Sequence, residues 1–213
     1  MLFDPAVYLA YCGTVALLAL APGTDNIYIL TQTLSRGRHA GLLAALGIAS
    51  ALCIHVTAVT FGLAQLFVNA PTLFQAVKWA GIAYLAWLAW GAFRSAGSAS
   101  WQIGASADHR AAGAGRTIAK GFALALLNPK LAVFFIAFLP QFTDPTAGGI
   151  TLQLLTLGIT FAVISLSLFT AMIFIVAPMG DWLRRHPGFP VWQARLTGTV
   201  LGGMAFWLAL DET

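Results

Sequence analysis

Charge is what this chain has least of. Only 8% of its 213 residues are Asp, Glu, Lys or Arg, against about 25% in a soluble domain, and Glu212 is the sole glutamate. So small a complement cannot solvate the surface of a soluble domain of this length. Cysteine is scarce too: Cys12 and Cys53 both fall inside apolar runs and form no CxxC, which argues against a disulfide framework or a metal knuckle. HExxH and a second acid within an apolar run are missing, and neither Ser165 nor Ser167 sits in a GxSxG elbow, so an intramembrane protease lacks its machinery. A lone core histidine falls short of a haem-ligand pair. No enzyme and no cofactor is expected.

What the chain does have is apolar length. It is 59% hydrophobic with a mean hydropathy of +0.83. A bilayer core takes about 20 apolar residues per helix, and six runs suffice, at roughly 6–34, 41–68, 72–93, 119–142, 150–177 and 192–210. The expected fold is an all-α integral membrane protein of six transmembrane helices, in one transmembrane domain over 1–213 and with the lipid bilayer as its surroundings. The formal charge of +4 does not point to nucleic acid, because the basic residues cluster after alternate runs: Arg36 and Arg38; Arg94, Arg110, Arg116 and Lys120; Arg184, Arg185 and Arg195. The opposite connections and both ends carry Asp4, Asp144, Asp211 and Glu212. By the positive-inside rule the basic loops are cytoplasmic and both termini lie outside. The Ala19-Leu20-Ala21 triplet looks like a leader cleavage site, but no Lys or Arg precedes it and apolar character resumes beyond it, so the segment is read as a span.

Slid against itself by about half its length, the sequence repeats. "FALALLNPKLAVFFIAFL" (Phe122 to Leu139) lies over "VALLALAPGTDNIYILTQ" (Val15 to Gln32), with Pro129 on Pro22, and Ala177-Pro178 falls on Ala70-Pro71. Three spans per unit make the second unit run the opposite way: an inverted repeat, with units at about 1–95 and 118–213 and a Gly/Ser/Ala-rich cytoplasmic linker at about 96–117. Inverted units that each contain a Pro/Gly-interrupted helix point to a transporter with its site near the bilayer midplane. The expected breaks are at Pro22-Gly23 in the first span and Pro129 in the fourth.

Beside each break stands a charge. Asp25 lies about 11 residues before Arg36 and Lys130 about 10 after Lys120, which at 1.5 Å per residue puts both about 15–17 Å deep, near the middle of the membrane. An unpaired charge there costs roughly 2.5–3.5 kcal/mol. Two readings follow: an ion pair knitting the halves together, with Asp25 also capping the helix that restarts after Pro22-Gly23, or a wet binding cavity. In the second, the carbonyl end of a broken helix together with the aspartate takes an ammonium or proton, and the amide end takes a carboxylate. One acid and one base suit a neutral zwitterion. Asn26 and Asn128 border the breaks as site residues or caps. His55, near the middle of the second span, is either a proton carrier or a packed residue bonded to a backbone carbonyl. Lys78 reads as a snorkelling lysine, Gln141 marks the outer end of the fourth span, and Gly198 with Gly202 form a close-packing pattern that also leaves a homodimer open.

"APGTDNIYIL", "VKWAGIAYLAWL" and "LLNPKLAVFFIAFLPQF", in this order and spacing, resemble the LysE/RhtB family of amino-acid exporters over nearly the whole chain. The resemblance implies efflux of small amino acids or their derivatives from the bacterial cytoplasm across the inner membrane, driven by protons in antiport, and the outside face on which the charge pattern puts both termini is then the periplasm. The family's Pro-Gly-Pro stands here as Pro22-Gly23-Thr24. Ile54-His55 and the KWAG-x-x-YL run are closer to the homoserine/threonine-type branch than to the lysine-type branch. The alternative within transport, export of a metal cation, has a poor ligand set in one Asp, one His and two separated Cys, and no metal site is expected.

Overall fold

A computed structural model describes residues 3–21, 23–63, 71–96, 113–144, 147–179 and 189–210. Pro22 and most of the expected linker, 97–112, lie outside the described residues. The described chain is helical, with no strand among the described residues.

Helix α1 runs over Pro5–Leu20. Asp4 starts it by accepting the Ala6 amide at 2.7 Å, with Pro5 at the first helical position, where its missing N–H costs nothing. Helix α2, Thr24–Arg36, resumes after the break at an angle of 55°. It turns through Gly37, whose φ of +84° suits a residue without Cβ, directly into α3, Arg38–Ala58, which continues as a π-helical turn, Val59–Leu63. Helix α4 spans Pro71–Ala96. The second half repeats the order: α5 is Ala114–Leu126, α6 is Pro129–Val133, and the two meet at 48°. Helix α6 widens into a π-helical segment, Phe134–Phe138, and then tightens into a 3-10 turn, Leu139–Phe142. Pro140 gives the reason, since it has no N–H for the carbonyl four residues back and its ring crowds that turn. Helix α7 covers Ile150–Val176 and α8 covers Phe189–Leu210. The helices follow the six apolar runs closely. The linker is shorter than expected at its far end, because α5 begins at Ala114 and carries Arg116 and Lys120 in its first turns.

Length and apolarity let α3 and α7 cross a membrane alone, and α1–α2 and α5–α6 cross if each bent pair counts as one span. The outside of the molecule agrees with a lipid surrounding: Leu9, Phe61, Trp90 and Leu127 are all more than 65% exposed. The core holds an aromatic cluster in which Phe134 packs on Tyr11, Phe135, Phe138 and Phe161 at centroid distances of 5.0 to 6.4 Å. Where the apolar effect is weak between helices, small residues permit close contact. Gly47 of α3 lies against the Ile118 carbonyl and Gly121 of α5 against the Ala44 carbonyl, so α3 and α5 touch backbone to backbone. Gly198 lies against the Phe93 ring and Gly202 faces Ala89, which makes the expected close-packing pattern a contact between α8 and α4. Lys78 is 3% exposed, enclosed by protein rather than snorkelling. Gln141 donates to the Ala137 carbonyl at 3.4 Å within the 3-10 end of the fourth run.

Candidate functional site

The two breaks meet. At the first, α1 runs out at Leu20 and its last carbonyls must find partners. Ala21 N–H donates to Leu17 O at 2.9 Å. Asn26, in the first turn of α2, reaches back with Nδ2 to Ala19 O at 2.9 Å and Ala21 O at 3.0 Å. Lys130, from the other half of the chain, donates Nζ to Leu18 O at 3.4 Å and Ala21 O at 3.1 Å. Gly23 makes room for it: a Cβ there would stand 3.0 Å from the ammonium nitrogen. A buried cation thus sits at the negative end of the α1 dipole.

Asp25 occupies the first turn of α2, the positive end of that helix, which has no side-chain cap. Its Oδ2 accepts from Asn128 Nδ2 at 2.9 Å and its Oδ1 from the Thr24 hydroxyl at 3.5 Å. Asn128 also caps α6, accepting the Lys130 amide on Oδ1 at 3.0 Å, and Pro129 follows at the first helical position. Asp25, Asn26, Asn128 and Lys130 are all at most 8% exposed.

This geometry reverses one expectation. The binding reading associates the aspartate with the carbonyl end of the first break, but Asp25 lies at the start of the restarting helix, where the ion-pair reading puts it, and Lys130 takes the carbonyls. The physical reason is the dipole: each charge occupies the helix end of opposite sign. Among the described residues Asp25 and Lys130 form no direct ion pair. Asn128 stands between them, bonded to the carboxylate through its side-chain amide and to the Lys130 backbone through its oxygen.

His55 stands at the second break. Its Nε2 lies 3.3 Å from Ala125 O, near the end of α5, and its ring stacks on Phe135 at 5.5 Å and 3°. That is the packed, carbonyl-bonded arrangement of the two the sequence allowed.

Between the breaks lies a small cavity whose walls include Asp25, Asn26 and Lys130. It leaves about 10 Å³ for the centre of a water-sized molecule, close to the room one water needs and far below an amino acid. The conformation is closed around the site. One wall residue escaped the sequence: Ser165 of α7, set aside there for lack of a nucleophile elbow, lines the cavity and is 1% exposed. Its hydroxyl and the Asn26 Oδ1 are both buried without a hydrogen-bond partner in the protein. A serine in an apolar helix carries no signal that distinguishes it from one bonded to its own backbone.

A model of the LysE type translocator family matches residues 16–212. The chain belongs to the LysE type translocators. It is therefore a membrane translocator rather than an enzyme. The homoserine/homoserine lactone efflux protein of Salmonella typhimurium is 32% identical over 177 residues, 83% of this chain and 84% of that protein. An uncharacterized membrane protein of Vibrio cholerae is 31% identical over 210 residues, covering 97% and 98%. The leucine efflux protein of Klebsiella pneumoniae is 27% identical over 195 residues, covering 92% and 89%. No solved structure matches the chain.

Proposed function

We propose that this translocator exports small neutral amino acids or their derivatives, homoserine- or threonine-like, from the bacterial cytoplasm across the inner membrane, by proton antiport with alternating access. The observation that carries this is the separation of the two buried charges. Asp25 and Lys130 border one cavity without pairing, so a zwitterion entering between them presents its ammonium to Asp25 and its carboxylate to Lys130 with no internal salt bridge to break. The efflux proteins of S. typhimurium and K. pneumoniae, named for homoserine and leucine, support the substrate class.

The helix order and packing support an inverted repeat of three spans per half, with units near 1–95 and 118–213, and the positions of the basic residues support periplasmic termini. The halves place a bent pair, a long helix and a further helix in the same order. Helix α3 packs on α7 and α4 on α8, each on its counterpart, while α1 packs on α7 as α5 packs on α3. In the cycle, the cavity opens to one side or the other as the bent pairs change angle. Asp25 takes the inward-moving proton when substrate leaves, and the proton's full crossing is worth about 2.3 kcal/mol per 100 mV of membrane potential.

The test loads liposomes holding the purified protein with a mixture of amino acids and imposes a pH gradient. Selective loss of small neutral species from the lumen is expected, and release of no amino acid would overturn the proposal. Asp25→Asn is expected to abolish gradient-driven release while the protein still inserts and folds; undiminished coupled release at matched protein levels would remove Asp25 as the proton carrier.

A further inference from the structure

Asp25 and Lys130 account for the two charges of an amino acid, but the cavity contains two further polar atoms that they do not use. Asn26 Oδ1 and Ser165 Oγ, from α2 and α7, are buried and have no partner in the protein. The Asn26 amide cannot simply be turned over to relieve this, because its Nδ2 is fixed by two carbonyl oxygens at 2.9 and 3.0 Å, and an oxygen in that place would face oxygen. A buried polar atom left unpaired is costly. The rest of the wall near them is apolar, with Ile48, Leu52, Phe161 and Phe169.

We infer that Asn26 Oδ1 and Ser165 Oγ form a polar subsite for a hydroxyl on the substrate's side chain, and that they make this translocator prefer hydroxylated amino acids over aliphatic ones of the same size. This rests on the export function proposed above and adds a third point of recognition to it. The chemistry of the pair selects the group. Asn26 Oδ1 only accepts, and a serine hydroxyl both donates and accepts. A hydroxyl gives its hydrogen to the amide oxygen and takes one from the serine, so both atoms are used. A carboxylate would be repelled by the amide oxygen, and the substrate's ammonium, although it could donate to both atoms, is the group assigned above to Asp25. A methyl group leaves both protein atoms unpaired, which is the situation in which a polar site discriminates most strongly between isosteres. The apolar wall accommodates the methylenes that carry the hydroxyl.

The experiment uses the full-length protein in liposomes loaded with two equimolar pairs, homoserine with norvaline and threonine with valine, whose members exchange a hydroxyl for a methyl. Luminal amino acids are read by chromatography after a pH gradient is imposed. Wild type is expected to release the hydroxylated member of each pair at least about tenfold faster. Ser165→Ala is expected to lower that ratio about tenfold, chiefly by slowing the hydroxylated member, with thermal stability in detergent equal to wild type or higher because an orphaned hydroxyl has been removed. Equal release of both members by wild type, which needs no variant, would overturn the subsite. So would an unchanged ratio in Ser165→Ala. In either of those cases amino acids still leave the vesicles and the export function stands; release of no amino acid is the distinct result that removes the export function itself.

Discussion

The two helix breaks solve the same problem with different means. At the second, the restart is capped locally: Asn128 caps the restarting helix from within its own segment and Pro129 presets the first turn, while His55 of α3 touches a carbonyl near the end left behind. At the first, the restart at Gly23 has no side-chain cap, and the carbonyls at its end are bonded by Asn26 from the next helix and by Lys130 from more than 100 residues away. The restart at the second break is capped from its own segment, whereas the carbonyls at the first depend in part on a lysine from the other half of the chain. In the alternating-access cycle proposed above, in which both bent pairs change angle, the first break is expected to change the more, because its carbonyls are satisfied by a side chain from the other half of the chain.

The harshest way to break this asymmetry is Lys130→Met. It strips Leu18 O and Ala21 O of a donor and leaves Asp25 as an uncompensated buried charge, for an expected loss of about 3–5 kcal/mol, seen as a large fall in melting temperature in detergent together with loss of export. Asn128→Ala comes next. It removes an N-cap worth about 1 kcal/mol and a bond to a carboxylate worth about 1.5–3 kcal/mol, so the melting temperature falls less than in Lys130→Met while coupling through Asp25 weakens. Gly23→Ala against Pro129→Ala sharpens the contrast directly. The new Cβ at 23 stands 3.0 Å from Lys130 Nζ and 3.4 Å from its Cε, so the ammonium must give by a few tenths of an ångström while keeping its carbonyls, and export is expected to drop at nearly unchanged stability. Pro129→Ala keeps the Asn128 cap and is expected to leave export near wild type; equal sensitivity at the two positions would contradict the asymmetry. The smallest effect is expected from His55→Gln, which alters one hydrogen bond worth about 1 kcal/mol. If His55 only supports α5, the dependence of export on luminal pH keeps its wild-type shape, and a displaced profile would make His55 part of the proton path.

Much of this was legible beforehand, because it depends on local composition. The apolar runs anticipated the helices to within a few residues, and Pro-Gly and Asn-Pro marked the breaks, since proline removes a donor wherever it stands. Less legible were the partners. Nothing in "APGTDNIYIL" says that Asn26 turns back to Ala19 O, and nothing in "LLNPKL" says that the lysine reaches the far break and leaves the aspartate to Asn128. Ser165 was invisible for the same reason: its hydroxyl matters only because α7 brings it to a cavity wall.

By itself the sequence determined a membrane-embedded helical protein with two interrupted helices and one buried charge of each sign beside the interruptions, because apolarity, helix length and helix-breaking residues act within a turn or two of chain. The tertiary structure alone decided which charge meets which helix end, that Asp25 and Lys130 stay apart, and that Asn26 and Ser165 face one cavity with atoms to spare. Those outcomes turn on hydrogen bonds and dipoles between segments about a hundred residues apart, whose meeting is fixed by how the helices pack.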